Sequence, residues 1–299
     1  MNRQCMGTLL VSLMATAAVA GSTNVQARYL NFNQGQAQLL AADSSGNLFV
    51  VGTVLEASGT PQIRVIKTDS AGNVLATFDF GGTSVTEPDT VAGAATDAQG
   101  NIVIVGSTQS SDFPLVAPLS LQSRLPAAFI VRLDAKLAGI QFATLLGGTQ
   151  GRFTAGGALA VDSSGNIYVS GDTDETDFPV TPNAFQTQAP SDPFGTSGSA
   201  FLTEISAANQ IVFSTYYGGS TAFCAQLAPC LGYGVTATTA MAVDASGNIV
   251  LAGNTSSIDL PTTAGVYAQQ CNCAAGFIAK FAPGGAKLSW ATLLPGASA

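Results

Sequence analysis

The chain has 299 residues, of which 9% are charged and 8% aromatic, and its 18 acidic and 10 basic residues give a net charge of −8. This balance, with no run of basic residues, argues against nucleic acid and anionic membrane surfaces as partners, because both require clustered Lys and Arg. The absence of histidine excludes Ser-His-Asp and Cys-His nucleophile systems and histidine metal ligands.

The first predicted element is a signal peptide over residues 1–27. Arg3 provides a basic start, an apolar run covers residues 6–20, and a small-residue cleavage pattern ends at Ala27, with cleavage after Ala20 as the alternative. The apolar run is short for a membrane span and no second run follows, so we expect no membrane insertion. The remaining chain has a net charge near −9. We therefore expect a secreted, extracellular or cell-surface protein.

Four copies of one hairpin follow the predicted signal peptide. Each copy has small residues, then Asp-x-x-Gly-Asn, then an apolar run that ends in glycine. An Asp that opens a type I turn accepts backbone N–H bonds, and the Gly three residues later takes a positive φ. We interpret the four aspartates as structural turn formers: Asp43, Asp97, Asp162 and Asp244.

A second hairpin follows each copy, so the repeated unit has four strands, named a, b, c and d in chain order. Four-stranded antiparallel units in series predict β-propeller blades, with strand a innermost and strand d outermost. A β-sandwich is the main alternative, but it does not predict a repeated sequence at every second hairpin. We therefore predict an all-β fold and one propeller domain over residues 28–299. Its four blades are expected at about 37–82, 92–148, 158–219 and 239–296.

Residues 28–33, with the sequence RYLNFN, resemble an extra outer-type strand before the first blade. Because the last copy also has its own d strand, this count indicates an incomplete ring. A compact four-bladed ring and the pairing of two arcs stay open. In an open arc each terminal blade exposes an apolar face, and such faces favour self-association.

The connections between strands differ in length. Successive turn aspartates are 54, 65 and 82 residues apart, and the growth is confined to the b–c and d–a connections. In an up-and-down meander these two connections emerge on one face, opposite the a–b and c–d turns. Because loops on a rigid scaffold often carry function, this face is the predicted binding face for a glycan or protein ligand. The alternative is loop variation without function.

Four cysteines of the mature chain fall in these long connections. Cys224 and Cys230 precede the fourth copy, and Cys271 and Cys273 follow its b strand. Export favours disulfides, and we predict pairing between the two loops because it closes the larger loops. A zinc site is the alternative, although Cys-x-Cys is not the usual ligand spacing.

The acidic stretch GDTDETDFP provides the candidate metal ligands. Its carboxylates at Asp172, Asp174 and Asp177 alternate in a way that can chelate calcium. The stretch lacks the Gly and distal Glu of an EF-hand loop, so a solvated acidic loop is the competing interpretation. No other cofactor is expected.

The third copy resembles a known family. AVDSSGNIYVSGDT at 160–173, TDFPVTPNAFQ at 176–186 and a closing YGG are similar to the bacterial SBBP repeat, which is named for a predicted seven-bladed β-propeller. The first copy departs from the pattern, with LEASGT in place of the D-F-P segment. The resemblance implies a secreted or cell-surface propeller and carries over no catalytic residues.

Three classes of function stay open. We predict a non-catalytic binding module that uses the long loops. A structural or assembly propeller is the first alternative. A carbohydrate-active hydrolase or lyase with two catalytic carboxylates is the second, but the turn roles of many acids weaken it.

Overall fold

The computed structural model describes residues 30–32, 34–192, 195–196, 198–221 and 234–296. The predicted signal peptide lies outside them. Within the described residues there is no helix, and the secondary structure consists of β-strands, turns and loops. The all-β prediction is confirmed.

The strands form four antiparallel sheets, each with the spatial order a-b-c-d. Blade 1 contains β1 (Gln36–Ala42), β2 (Leu48–Leu55), β3 (Pro61–Thr68) and β4 (Val74–Phe80). Blade 2 contains β5 (Thr90–Thr96), β6 (Ile102–Thr108), β7 (Ala127–Leu133) and β8 (Ile140–Leu146). Blade 3 contains β9 (Thr154–Val161), β10 (Ile167–Thr173), β13 (Ser199–Ile205) and β14 (Ile211–Tyr217). Blade 4 contains β15 (Thr236–Val243), β16 (Ile249–Thr255), β17 (Ala275–Phe281) and β18 (Leu288–Pro295). A small hairpin of β11 (Ser191–Asp192) and β12 (Gly195–Thr196) lies in the b–c connection of blade 3.

The Asp-x-x-Gly-Asn segments close the a–b turns in all four blades. In blade 2 the Asp97 carboxylate accepts N–H bonds from Gln99 and Asn101, both at 2.9 Å, and the amide of Asn101 donates to its other oxygen. The glycine at the fourth position has φ between 77° and 83° in the four turns. Asn101 Oδ1 also accepts the N–H of Ala135 at 3.0 Å, which joins the a–b turn to the c–d turn. These turns define one end of the blades, called the turn face.

Successive blades pack sheet against sheet, and their a strands lie next to one another. We call the side of a blade that faces the next blade its forward face and the opposite side its backward face. The forward side chains of blade 1 and the backward side chains of blade 2 form one apolar cluster, and two further clusters join blades 2 and 3 and blades 3 and 4. The packing runs from blade 1 to blade 4, and the sheets do not close into a ring over the described residues. The propeller-like, open arrangement agrees with the incomplete ring predicted from sequence.

A clasp joins each blade to the next at the end opposite the turn face. After strand d, Thr83 donates its backbone N–H and its hydroxyl to the two oxygens of Asp112 in the b–c loop of blade 2, at 3.0 and 2.7 Å. Thr149 binds Asp177 of blade 3 in the same way, and Ser220 and Thr221 bind Asp259 of blade 4. The d–a and b–c connections therefore meet at one end of the blades, called the loop face.

A Gly-Gly pair follows strand d in blades 1 to 3, and the second glycine of each of these pairs makes the clasp possible. A Cβ on Gly148 would lie 2.3 Å from the Asp177 carboxylate and 2.8 Å from the Cβ of Glu175. Gly82 and Gly219 meet the next blade's loop equally closely. The closing Y-G-G of the repeat is thus a point of contact between blades.

The b–c loops of blades 2 to 4 continue beyond the clasp and cover the outer edge of their own sheet. Val116 exchanges two backbone hydrogen bonds with Ala143 of β8, at 2.8 and 3.1 Å, and Thr181 and Thr263 donate N–H bonds to β14 and β18. A covered edge cannot pair with a foreign strand. The long loops are therefore not confined to the loop face, which the sequence reasoning had not anticipated.

Blade 1 differs from the prediction at the start of the chain. Leu30 to Phe32 form no strand; Phe32 instead packs with Val54 and Ile66 on the backward face of blade 1. The extra outer strand predicted at 28–33 is wrong for residues 30–32, because their apolar side chains pack on the face of the sheet and do not pair along its edge, and the rest of that segment lies outside the described residues. The apolar side chains at 30 and 32 cover part of the exposed sheet face.

Candidate functional site

The loop face contains the acidic stretch that the sequence singled out, and the structure separates its members. The Asp177 carboxylate serves the clasp between blades 2 and 3, where Thr149 donates to it. Burial raises the pKa of Asp177, but the hydrogen bonds from Thr149 outweigh this effect and lower it below the usual value. Asp177 is therefore a blade-joining residue, a role that the equivalent Asp112 and Asp259 share.

The structure does not assemble Asp172, Asp174 and Asp177 into a metal site. Within the described part of the chain, no group of three His, Cys, Asp or Glu side chains is arranged to hold a metal ion. The physical reason lies in the strand geometry: Asp172 belongs to β10, whereas Asp177 lies beyond the strand and is bound to the preceding blade. The calcium interpretation is not supported by this arrangement.

Asp172 and Asp174 form a pair at the seam between blades 3 and 4. Ser170, two residues before Asp172 on the same side of β10, makes a hydroxyl–hydroxyl contact with Thr238 of β15. Asp172 therefore also points toward blade 4. Asp174 lies against Gly198, where a Cβ would come within 3.1 Å of its Oδ1 atom, and Gly198 bridges to Val235 at the start of blade 4.

Both carboxylates of this pair are half-buried, and this changes their protonation. Burial raises the pKa of Asp172 to about 6, and the charge of Asp174 adds to the effect. Burial also raises the pKa of Asp174, partly offset by the positive charge of Arg152. Neither side chain receives a hydrogen bond from another described residue. The seam thus presents two acceptor groups without protein donors among the described residues.

Glu175 lies next to this pair, and its side chain is buried. Its Oε1 atom accepts the backbone N–H of Arg152 at 2.7 Å, while Oε2 has no hydrogen-bond partner among the described residues. Burial raises the pKa of Glu175 as well. Blades 2 and 4 have Ser110 and Ser257 at this repeat position, and both donate a hydroxyl hydrogen bond instead. Glu175 is thus a departure of blade 3 from the repeat.

The structure corrects the predicted pairing of the cysteines. Cys271 is bonded to Cys273 across a single intervening residue, in place of a bridge between the two loops. Two residues so close in sequence already meet the Cα separation of a disulfide, at 5.1 Å, without bringing two loops together. Cys224 and Cys230 lie outside the described residues.

The sequence reasoning missed a groove at the outer edge of the fold. It has a volume of about 440 Å³ and lies between residues 117–121 of the blade 2 b–c loop and residues 208–211 of the blade 3 c–d turn. Ala117 and Asn209 both have positive φ, at 45° and 59°. A positive φ at alanine is uncommon in proteins, and no sequence pattern indicates it. The groove is polar and carries no cluster of ionisable groups.

One comparison with known proteins identifies the repeat. The family model for SBBP, described as a beta-propeller repeat, matches residues 141–179, from β8 to Pro179, two residues after the clasp aspartate. No curated protein matches the chain. A solved structure described as "Crystal structure of glucose dehydrogenase" is similar over 75% of this chain and 81% of that chain, with 14% identity and a TM-score of 0.30. The repeat match confirms the resemblance seen in the third copy. The described residues contain no helix that is long and apolar enough to cross a membrane.

Proposed function

We propose that this chain, which carries the SBBP β-propeller repeat, is a non-catalytic binding module that is exported and holds a glycan or protein ligand at its loop face. The observation that carries the proposal is the half-buried pair of Asp172 and Asp174 at the seam of blades 3 and 4. Burial raises the pKa of both carboxyls, and no described residue donates a hydrogen bond to either of them.

A ligand that donates hydrogen bonds would relieve this cost. Carboxylates are acceptors when ionised, so sugar hydroxyls and the cationic groups of Lys or Arg are suitable partners. The chain's net charge of −8 favours a neutral or cationic ligand over an anionic one. The apolar run and cleavage pattern in residues 1–27 support export of the module.

The test is a binding screen with the purified chain lacking residues 1–27, on a glycan array and on an array of basic peptides. Any ligand found is then titrated against the double variant Asp172→Asn/Asp174→Asn. Loss of two charge-assisted hydrogen bonds should weaken binding by at least about tenfold. The matched control is Glu87→Gln, which removes one exposed charge from the same face. Equal weakening in the control, or none in the double variant, would place the ligand elsewhere.

The pair also keeps the carbohydrate-active alternative open. A carboxyl with a raised pKa beside a second carboxyl is the arrangement that glycosidases use as acid and nucleophile or base. Glycans that bind are therefore incubated with the protein and examined for new reducing ends. Turnover that disappears in Asp172→Asn would replace the binding role with catalysis.

A further inference from the structure

The interfaces between blades use the same repeat positions each time. On the forward face of blade 2, Arg132 and Phe142 pair across strands c and d, and Phe142 is 0% exposed. The equivalent pair in blade 3 is Glu204 and Phe213, and Phe213 is 4% exposed. In blade 4 the pair is Lys280 and Trp290, but Trp290 is 38% exposed.

The next blade receives these side chains with its turns. Arg132 donates to the carbonyl of Gly165 and the amide oxygen of Asn209, in the two turns of blade 3, at 3.3 and 3.4 Å. Lys67, at the same position of blade 1, donates to the carbonyl of Ala135 in blade 2 at 2.8 Å. The Phe213 ring lies against Gly285 in the c–d turn of blade 4. A cation or aromatic ring here therefore serves contact with a following blade.

Blade 4 keeps this set of side chains with no blade beyond it among the described residues. Val250, Ala252 and Ile278 are half-buried, whereas the corresponding Val103, Val105 and Ile130 of blade 2 are fully buried. Among the described residues, the Lys280 ammonium binds only Asp244 of its own a–b turn, at 3.1 Å. The face has the composition of an interior interface and the exposure of a surface.

Blade 1 shows how this fold closes an outer face. At the backward position occupied by Phe in blades 2 to 4, blade 1 has Arg64, which forms an ion pair with Asp79 at 2.6 Å. Asp79 itself replaces the Leu or Tyr of the other blades, and Phe32 covers Val54 and Ile66 beside it. Terminal repeats need such a polar outer surface. Blade 1 therefore caps the arc with a polar backward face. The forward face of blade 4 has no corresponding polar substitutions.

We propose that the forward face of blade 4 is a docking surface for one more β-sheet of the same repeat type, presenting a backward face like those of blades 2 to 4. The three existing interfaces define what this sheet must carry. It needs an aromatic side chain beside the glycine of its b strand, and an a–b turn and a c–d turn that accept hydrogen bonds from Lys280. Blade 1 of a second copy does not fit this description, since Arg64 and Asp79 occupy the apolar positions and residues 30–32 lie on the face.

Trp290 reports directly on this surface because it is the single tryptophan of the chain. The test replaces residues 297–299 of the chain with a second copy of residues 84–148, which contain blade 2 and its clasp loop. Circular dichroism and protease resistance show whether the added blade folds. If it docks, the emission of Trp290 moves to shorter wavelength and acrylamide quenching falls severalfold. The matched control carries Phe129→Arg and Leu145→Asp in the added copy only, which places there the ion pair that Arg64 and Asp79 form in blade 1, and should leave Trp290 as exposed as in the parent.

Each other outcome overturns the proposal. An added blade that folds while Trp290 stays exposed shows that the face does not receive it. An added blade that is digested in both fusions shows that the face does not support its folding. Emission of the unextended chain that shifts with protein concentration, together with a dimer in sedimentation, assigns the face to a second copy instead.

Discussion

The two interior blades and the two terminal blades have the same sequence repeat but different burial. In the b strands of the interior blades, β6 and β10, every residue except one is buried. In the b strand of blade 4, β16, buried and half-buried residues alternate strictly, and in that of blade 1, β2, half-buried and exposed residues are interspersed with buried ones. A strand buried on both faces and a strand buried on one face can thus arise from similar sequences. The number of neighbouring blades decides which.

The two terminal blades also differ from each other. Blade 1 has polar substitutions on its outer face, a short b–c turn and a cover from residues 30–32, whereas blade 4 retains interior-type residues. The sequence prediction of an apolar face at each end is therefore wrong for blade 1, because the Arg64–Asp79 ion pair occupies it. Self-association through the face of blade 1 is therefore not expected, and at the forward face of blade 4 it is the alternative that would contradict the docking of a further sheet.

The largest loss of unfolding free energy should come from replacing a buried aromatic side chain by alanine in an interior blade, compared with the equivalent side chain in a terminal blade. Phe142→Ala removes a fully buried ring between blades 2 and 3 and should cost about 3–5 kcal/mol of unfolding free energy. Trp290→Ala, at the equivalent position of blade 4, should cost about 1 kcal/mol because much of its ring already contacts water. Urea unfolding of both variants measures the difference. Equal losses would contradict the contrast between interior and terminal faces.

The clasp glycines should give the next largest effect. Gly148→Ala places a Cβ 2.3 Å from the Asp177 carboxylate, and we expect a loss of about 2–3 kcal/mol from overpacking and disrupted hydrogen bonds. Gly296→Ala, at the corresponding position of blade 4, meets no atom of the described residues within 4 Å, and its φ of 76° costs about 1 kcal/mol. Thermal unfolding of both variants checks the order. A larger loss at Gly296 would show that backbone conformation, not blade contact, requires the glycine.

The seam of blades 3 and 4 should make stability depend on pH. The pKa of Asp172 is raised to about 6 in the folded protein, so the folded state binds more protons than the unfolded state between about pH 4 and 6. Stability should therefore fall as pH rises through this window. Across this window, Asp172→Asn should reduce the change in unfolding free energy by about 1–2 kcal/mol, allowing for partial solvent screening. Ser107→Asn, at the same repeat position of blade 2, should leave the slope unchanged.

The smallest effect should come from the local disulfide. The bond between Cys271 and Cys273 closes a very short loop, so breaking it should cost only about 1 kcal/mol. Unfolding of Cys271→Ser/Cys273→Ser against the parent chain measures this loss. A loss of several kcal/mol would indicate that the bridge also fixes the b–c loop of blade 4.

The sequence by itself determined the repeating unit. The turn signal, the apolar runs and the Gly-Gly pairs are local features, since each depends on backbone conformation or on side-chain alternation along one strand. They were enough to predict four blades, their strand order and the aspartates that close the a–b turns. The first copy lacks the D-F-P segment, which is also visible in the sequence, and among the described residues its blade has no preceding blade to clasp.

Only the tertiary structure decided what those residues contact. Asp177 looked like a metal ligand because its partner, Thr149, is 28 residues away and belongs to another blade. The raised pKa of Asp172 and the separate pairing of Cys271 with Cys273 depend on burial and loop conformation, which vary among copies of one repeat. The same holds for the terminal faces: Trp290 and Phe142 occupy one repeat position, and the presence of a neighbouring sheet alone determines that one is exposed and the other buried.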